Sequence, residues 1–259
     1  KAEGIRPQGI RPQGIRPQGI RPQGIREQPI TEIGAARAPH MPARPARPRL
    51  LAPRAMPKRR AARSAKGRIA LYHALAHIEL NAVDLAFDLV ARFAGPDLPW
   101  EFYTDWIGVG AEEARHFEML TTLLESHGAA YGDLPAHGGL WEAATATAGD
   151  LLARLAVVPL VLEARGLDVT PGMITRLRGY GDVDGAEALE VILAEEIGHV
   201  ATGLRWFEWL ARKRGLDPPS AWTALVRQHF KGEIKEPLNE TARAAAGFGA
   251  AWHGPALAP

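Results

Sequence analysis

A tandem pattern of acidic and histidine residues constrains this chain more than any other feature. Glu79 is followed by Glu113-x-x-His116, and Glu163 is followed by Glu196-x-x-His199, at intervals of 34 and 33 residues. Residues three apart share a helix face, so each Glu-x-x-His aims a carboxylate and an imidazole at one point. The likeness extends to the neighbours. Ile78-Glu79-Leu80-Asn81-Ala82-Val83-Asp84 matches Leu162-Glu163-Ala164-Arg165-Gly166-Leu167-Asp168, and Ala111-Glu112-Glu113-Ala114-Arg115-His116 matches Ala194-Glu195-Glu196-Ile197-Gly198-His199. One Glu-x-x-His arises by chance in many charged helices. Two, each preceded by a glutamate at nearly the same distance, imply a pseudo-twofold pair of helical hairpins with six ligands facing one another.

Those six residues suit two metal ions. The chain has no cysteine, which excludes disulfides, thiolate sites and iron-sulfur clusters and leaves oxygen and nitrogen as ligands. Carboxylates and imidazoles accept iron and manganese. The pattern implies Glu113 and Glu196 as bridging ligands, Glu79 and Glu163 as terminal ones, and His116 and His199 as one imidazole per metal. Four carboxylates balance two divalent cations; without metal, buried ionised glutamates would be costly or strongly shifted in pKa. A solvated face is the competing explanation. Against it, Leu75 and Val83 flank Glu79, Val109 and Phe117 flank Glu113, and Leu160 and Leu167 flank Glu163.

Several neighbours have weaker signals. Glu112 and Glu195 sit about 100° round their helices, so they are expected in solvent or supporting the site from outside rather than binding metal. Metal-bound histidines commonly donate their second ring N–H to a carboxylate, and Asp84 and Asp168, five residues after the terminal glutamates, are the candidates for that support, with ordinary salt bridging as the alternative. His73 and His77 lie on another face from Glu79 and are expected as satisfied core or interface histidines. Trp106 and Trp206 stand seven positions from Glu113 and His199, a spacing suited to electron transfer but better explained by packing.

Apolar periodicity predicts a first long helix from 67 to about 93, stopped by Gly95-Pro96. A second runs from about 98 to 126, and a loop at 129 to 139 lets the chain cross to a third helix from 141 to about 167. Pro159, one turn before Glu163, should kink it. Thr170-Pro171 is a good cap for a separate short helix to about 180. A fourth long helix is expected from 184 to 212 and a fifth segment from 219 to 230. No segment alternates like a strand.

Charge divides the chain unequally. Through Lys66 there are 16 Lys plus Arg against 3 acidic residues, a net of +13; beyond it there are 15 against 26, a net of −11. The overall +2 therefore describes neither part. Residues 4 to 23 are four copies of Gly-Ile-Arg-Pro-Gln, with a degenerate fifth at 24 to 28. A five-residue period matches neither helix nor strand, and its prolines make residues 1–65 an extended or disordered basic arm. Its arginines could touch nucleic acid or an anionic surface; a tolerated repeat expansion is the simpler account. Residues 66–230 are expected as the helical domain and 231–259 as a C-terminal extension. No stretch approaches the roughly 18 apolar residues of a membrane span, and no apolar signal core stands near the start, so cytoplasmic residence without a membrane partner is expected.

The phrases His77-Ile78-Glu79-Leu80-Asn81-Ala82, Glu112-Glu113-Ala114-Arg115-His116-Phe117, Leu162-Glu163-Ala164-Arg165-Gly166-Leu167-Asp168 and Glu195-Glu196-Ile197-Gly198-His199-Val200 resemble the bacterial domain of unknown function 455 family, within the ferritin-like diiron carboxylate superfamily. The similarity covers roughly 48 to 252. It implies an all-α fold: a ferritin-like antiparallel four-helix bundle with a long crossover between helices 2 and 3 and an extra C-terminal helix. It also implies two Fe ions, or Mn, with O2 or peroxide as co-substrate and an electron-donor protein as partner. The leading expectation is an oxidase or oxygenase that activates O2 to oxidise or hydroxylate an unknown substrate. Its alternatives are a ferroxidase or iron-handling protein, and a non-enzymatic helical binding module with structural metal; a dimanganese catalase is a variant of the first. A relative with this architecture hydroxylates modified tRNA, but the acidic body disfavours nucleic acid here. Substrate and oligomeric state stay open.

Overall fold

The computed structural model describes residues 34, 37–57 and 62–252; the pentapeptide repeats lie outside them. Among the described residues the chain is all-helical, and its only extended pairing is an isolated bridge between Leu50 and Ala136. None of these helices is long and apolar enough to cross a membrane.

Helix α1 spans Ala65–Arg92 and α2 spans Trp100–Ser126. The Ser64 hydroxyl caps α1 by accepting the Gly67 N–H at 3.1 Å, satisfying one of the amides left open at a helix start. The two helices pack along each other, and Gly110 lets them approach, since a Cβ there would lie 2.9 Å from the Phe87 ring. The chain then passes through 127–138 to α3, Gly139–Ala146.

The expected third helix, 141 to 167, is not one helix. After α3 the backbone breaks and restarts as α4, Leu151–Val157, under an Asp150 cap that accepts the Leu152 N–H at 3.2 Å. Buried Arg154 joins the pieces. Its guanidinium donates to the Ala144 carbonyl at 2.6 Å and Thr147 Oγ1 at 2.9 Å, and it pairs with Asp88 of α1 at 2.6 Å. Around Pro159 the helix widens into a π segment, Val158–Glu163. A proline supplies no N–H and crowds the preceding turn, and π bulges are one way for a helix to absorb such a defect. The Trp222 indole donates to the Ala156 carbonyl at 3.1 Å, serving the backbone just before the bulge.

Helix α5, Ala164–Gly179, follows without interruption. The separate short helix expected to start at Thr170-Pro171 therefore does not form: Pro171 is inside α5. Its missing N–H leaves the Leu167 carbonyl without its usual helical donor, and the Asn239 side chain donates to that carbonyl at 3.0 Å. Helix α6, Val183–Lys213, packs along α5 and against the π segment. Helices α7, Pro218–His229, and α8, Glu240–Ala245, close one end.

Residues 37–57, part of the segment expected as an arm, lie against the helical body. Arg49 and Leu51 exchange backbone hydrogen bonds with Ala136 at 3.1 and 2.8 Å, and the Trp141 indole donates to the His40 carbonyl at 2.9 Å. Two large apolar clusters, with a smaller third around Leu85, Trp141, Ala144 and Val158, fill the interior of the described residues. One gathers Leu89, Trp106, Leu155 and Phe207 with Trp222, Phe248 and Trp252; the other gathers Tyr72, Leu124, Leu177 and Leu189. Along α1, α2 and α6 the acidic and histidine residues fall between them.

Candidate metal centre

Glu79, Glu113, His116 and Glu196 each offer a ligand atom within 4.8 Å of the others, and all four are buried. Helix α1 supplies one, α2 two and α6 one. The second histidine joins through α6: His199 Nδ1 lies 2.9 Å from Glu113 Oε1 and 3.5 Å from Glu196 Oε1. His116 Nδ1 lies 3.3 Å from Glu113 Oε2, 3.5 Å from Glu79 and 3.7 Å from Glu196. One carboxylate, Glu113, thus turns an oxygen to each imidazole. Glu163, at the end of the π segment, lines the same cavity as Glu79, Glu113 and Glu196, and its Oε2 is buried without a partner.

Each imidazole turns its other nitrogen outward to an acid from the opposite half of the repeat. His116 Nε2 donates to Glu195 at 2.8 Å, and His199 Nε2 donates to Glu112 at 2.9 Å. Arg115 holds Glu195 from the outside at 2.8 Å. These contacts place the Nε2 proton and leave Nδ1 facing the cluster, the arrangement that orients a metal-binding histidine. The carboxylates expected in that role go elsewhere. Asp168 is clasped by Arg243 at 2.8 Å and accepts the Asn239 N–H at 3.0 Å, while Asp84 faces Arg44 at 3.8 Å. The partners are instead the first residues of the two Glu-Glu doublets, Glu112 and Glu195, for which the sequence left open solvent or this supporting place.

His73 and His77 are satisfied as expected for core histidines. His73 Nε2 accepts the Gly132 N–H at 3.0 Å; His77 pairs with the Tyr131 hydroxyl at 2.8 Å and the His137 carbonyl at 3.2 Å. Trp106 and Trp206 are packed in the apolar core, Trp206 donating to Asp105 at 2.9 Å.

Without metal, protons hold the cluster together. Burial pushes Glu79 and Glu163 well above the usual carboxylate range, with neighbouring carboxylates adding to it, and burial raises Glu196 as well. Burial also opposes the charge on Glu113, but the His116 and His199 imidazoles beside it outweigh that and bring its pKa down to about 2. Burial disfavours charge on both histidines, yet the carboxylates, Glu113 foremost, raise His116 to about 10 and His199 to about 12. Protonated imidazoles therefore occupy the place where cations belong. Glu113 Oε1, His199 Nδ1 and Glu163 Oε2 are nonetheless buried with no properly directed hydrogen bond, a costly state for polar atoms unless something binds them. The donor set fits a metal ion of the iron or manganese type.

Known proteins place the chain without supplying an activity. It is 42% identical over 211 residues to an uncharacterized protein of Haemophilus influenzae, covering 79% of this chain and 72% of that one. No solved structure matches it. The family model described as "Protein of unknown function (DUF455)" matches residues 19–254, and the chain belongs to that family.

Proposed function

We propose that this protein is a dimetal carboxylate oxidoreductase of ferritin-like architecture, holding two iron ions and using O2 to oxidise or hydroxylate a substrate. The supporting observation is the reciprocal pair of bonds from His116 to Glu195 and from His199 to Glu112, which leaves two Nδ1 atoms facing one set of carboxylates. Glu113, turned to both imidazoles, and Glu196 would be shared by the two ions, with Glu79 and Glu163 as the remaining carboxylate ligands. When bound, the metals supply redox chemistry and activation of O2.

The chain's own groups supply geometry and dryness. Glu112 and Glu195 fix the imidazole tautomers and take up positive charge on the rings. The aliphatic wall of the cavity, including Leu75, Ala82, Val158 and Ile192, keeps bulk water from the carboxylates and strengthens their electrostatic interactions. The π segment presents Glu163 at the edge of this space, and a local helix widening is frequent at functional sites. Iron handling without an organic substrate is the second proposal; the apolar cavity beside the carboxylates favours the first.

Metal analysis of the full chain with an anaerobic Fe(II) titration tests the proposal. About two irons per chain are expected from the six-ligand set, with a transient visible absorbance on admitting O2 that is absent from Glu113→Ala and Glu196→Ala. No stoichiometric iron, or iron indifferent to O2 and peroxide, would overturn it.

A further inference from the structure

Two cavities lie against α1. The inner one, of about 190 Å³, reaches Glu79, Glu113, Glu163 and Glu196; the outer one, of about 560 Å³, lies nearer the start of the helix. Ile78 and Leu140 line both, so the two spaces adjoin across that pair of side chains. Ile78 is 40% exposed although its neighbours His77 and Glu79 are buried, as befits a side chain standing between open volumes.

Their linings differ in chemistry. Beyond its carboxylates the inner cavity is mostly aliphatic, and its size suits an apolar group: an engineered apolar cavity of about 150 Å³ holds benzene. The outer cavity falls within the roughly 300–1,000 Å³ typical of small-molecule sites. None of the described residues that line it is acidic. The rings of His73 and His77 are already engaged, His73 by the Gly132 N–H and His77 by the Tyr131 hydroxyl and the His137 carbonyl. His137 differs from them. Its Nδ1 accepts the Gly139 N–H at 3.3 Å, which leaves Nε2 as a donor. Lys66, in the first turn of α1, lines the outer cavity and has no ion-pair partner among the described residues; the helix dipole adds to its positive field. Thirteen residues separate Lys66 from Glu79, about 20 Å along a helix.

We propose that the two cavities form one site for an elongated amphiphile with an acidic head: the head sits beside Lys66, the stem runs through the outer cavity past His137, and the apolar end passes between Ile78 and Leu140 to the carboxylate cluster. Neither cavity alone explains both linings. A small polar substrate would leave the aliphatic inner wall unused, and a compact apolar one would make no use of the donors outside. The amphiphile names the substrate class of the proposed oxidation and rests on that proposal only for what happens at its inner end; binding itself requires no metal.

Parinaric acid, a slender polyene acid whose fluorescence rises in apolar surroundings, and its uncharged methyl ester are suitable probes, titrated under argon against full chain prepared with and without iron. The acid should bind saturably at about one per chain and more tightly than the ester. Ile78→Trp, which places an indole between the cavities at a partly exposed position, should weaken both probes about tenfold. Lys66→Glu, on the surface, should weaken the acid by roughly fivefold or more and spare the ester. Circular dichroism and iron content of each preparation accompany the titrations. Absence of binding to folded protein, or binding indifferent to either substitution, overturns the amphiphile site. Two irons with no probe binding would leave the dimetal proposal standing alone. Probe binding with both expected substitution effects and no iron uptake would support this site while the dimetal proposal fell.

Discussion

At the scale of single residues, each imidazole of the cluster leans on an acid of the other half, His116 on Glu195 and His199 on Glu112. Helical register alone brings positions three apart to one face, but which acid meets which histidine depends on the separation of α2 from α6, and Asp84 and Asp168, equally plausible by spacing, are engaged by Arg44 and by Arg243 with Asn239. Glu195→Gln and Glu112→Gln should each weaken metal binding about 10- to 100-fold without removing a ligand, measured by competition with a chelator; affinities unchanged in both would refute the assigned support. A pH dependence follows from the metal-free charges. His116 and His199 have pKa values raised to about 10 and about 12 from 6.5, so their stabilisation is complete below the unfolded value and is lost as pH rises through the folded ones. The raised carboxyls of Glu79, Glu163 and Glu196 act in the same direction, starting from 4.5. Metal must displace these protons. The gap in melting temperature between metal-loaded and metal-free protein should therefore widen from about pH 6 to about pH 9; a constant or shrinking gap would contradict it.

At the scale of elements, the long helices α1, α2 and α6 were readable from apolar periodicity and stop signals, to within about two residues at their ends. The third expected helix was not, because its irregularities are maintained from far away in sequence. Pro171 is tolerated inside α5 because Asn239 serves the freed carbonyl, and the backbone before the π segment is served by Trp222. Gly203 of α6 meets Pro159 so closely that a Cβ there would lie 2.4 Å from the proline Cβ. A rigid ring cannot swing aside, so Gly203→Ala should cost about 1–3 kcal/mol by overpacking. Urea unfolding of the metal-free protein would read this, and an unchanged midpoint would show that the π segment yields freely.

At the scale of the molecule, apolar periodicity predicted a helical body, and the tandem motif marked where its acids and histidines meet. The part played by the chain's end was not visible, since the Ala- and Gly-rich tail has little periodicity. Phe248 and Trp252 are buried, with Phe248 5.1 Å from Trp222 between ring centres, and Arg243 closes over Asp168. Deleting 231–259 should therefore lower stability by at least about 3 kcal/mol, the loss typical of a buried aromatic side chain; a truncated chain with the full-length urea midpoint would show that the tail merely lies on a finished core. The crossed bonds from His116 to Glu195 and from His199 to Glu112 have a consequence for inheritance. Residues 112 and 195 correspond in the two repeats, as do 116 and 199, so a hairpin of half this length paired with its own copy about a twofold axis would make the same two bonds. Joined in one chain, the halves are hostages to each other: a lesion in either acid disables the imidazole of the other half, and neither repeat is free to drift alone.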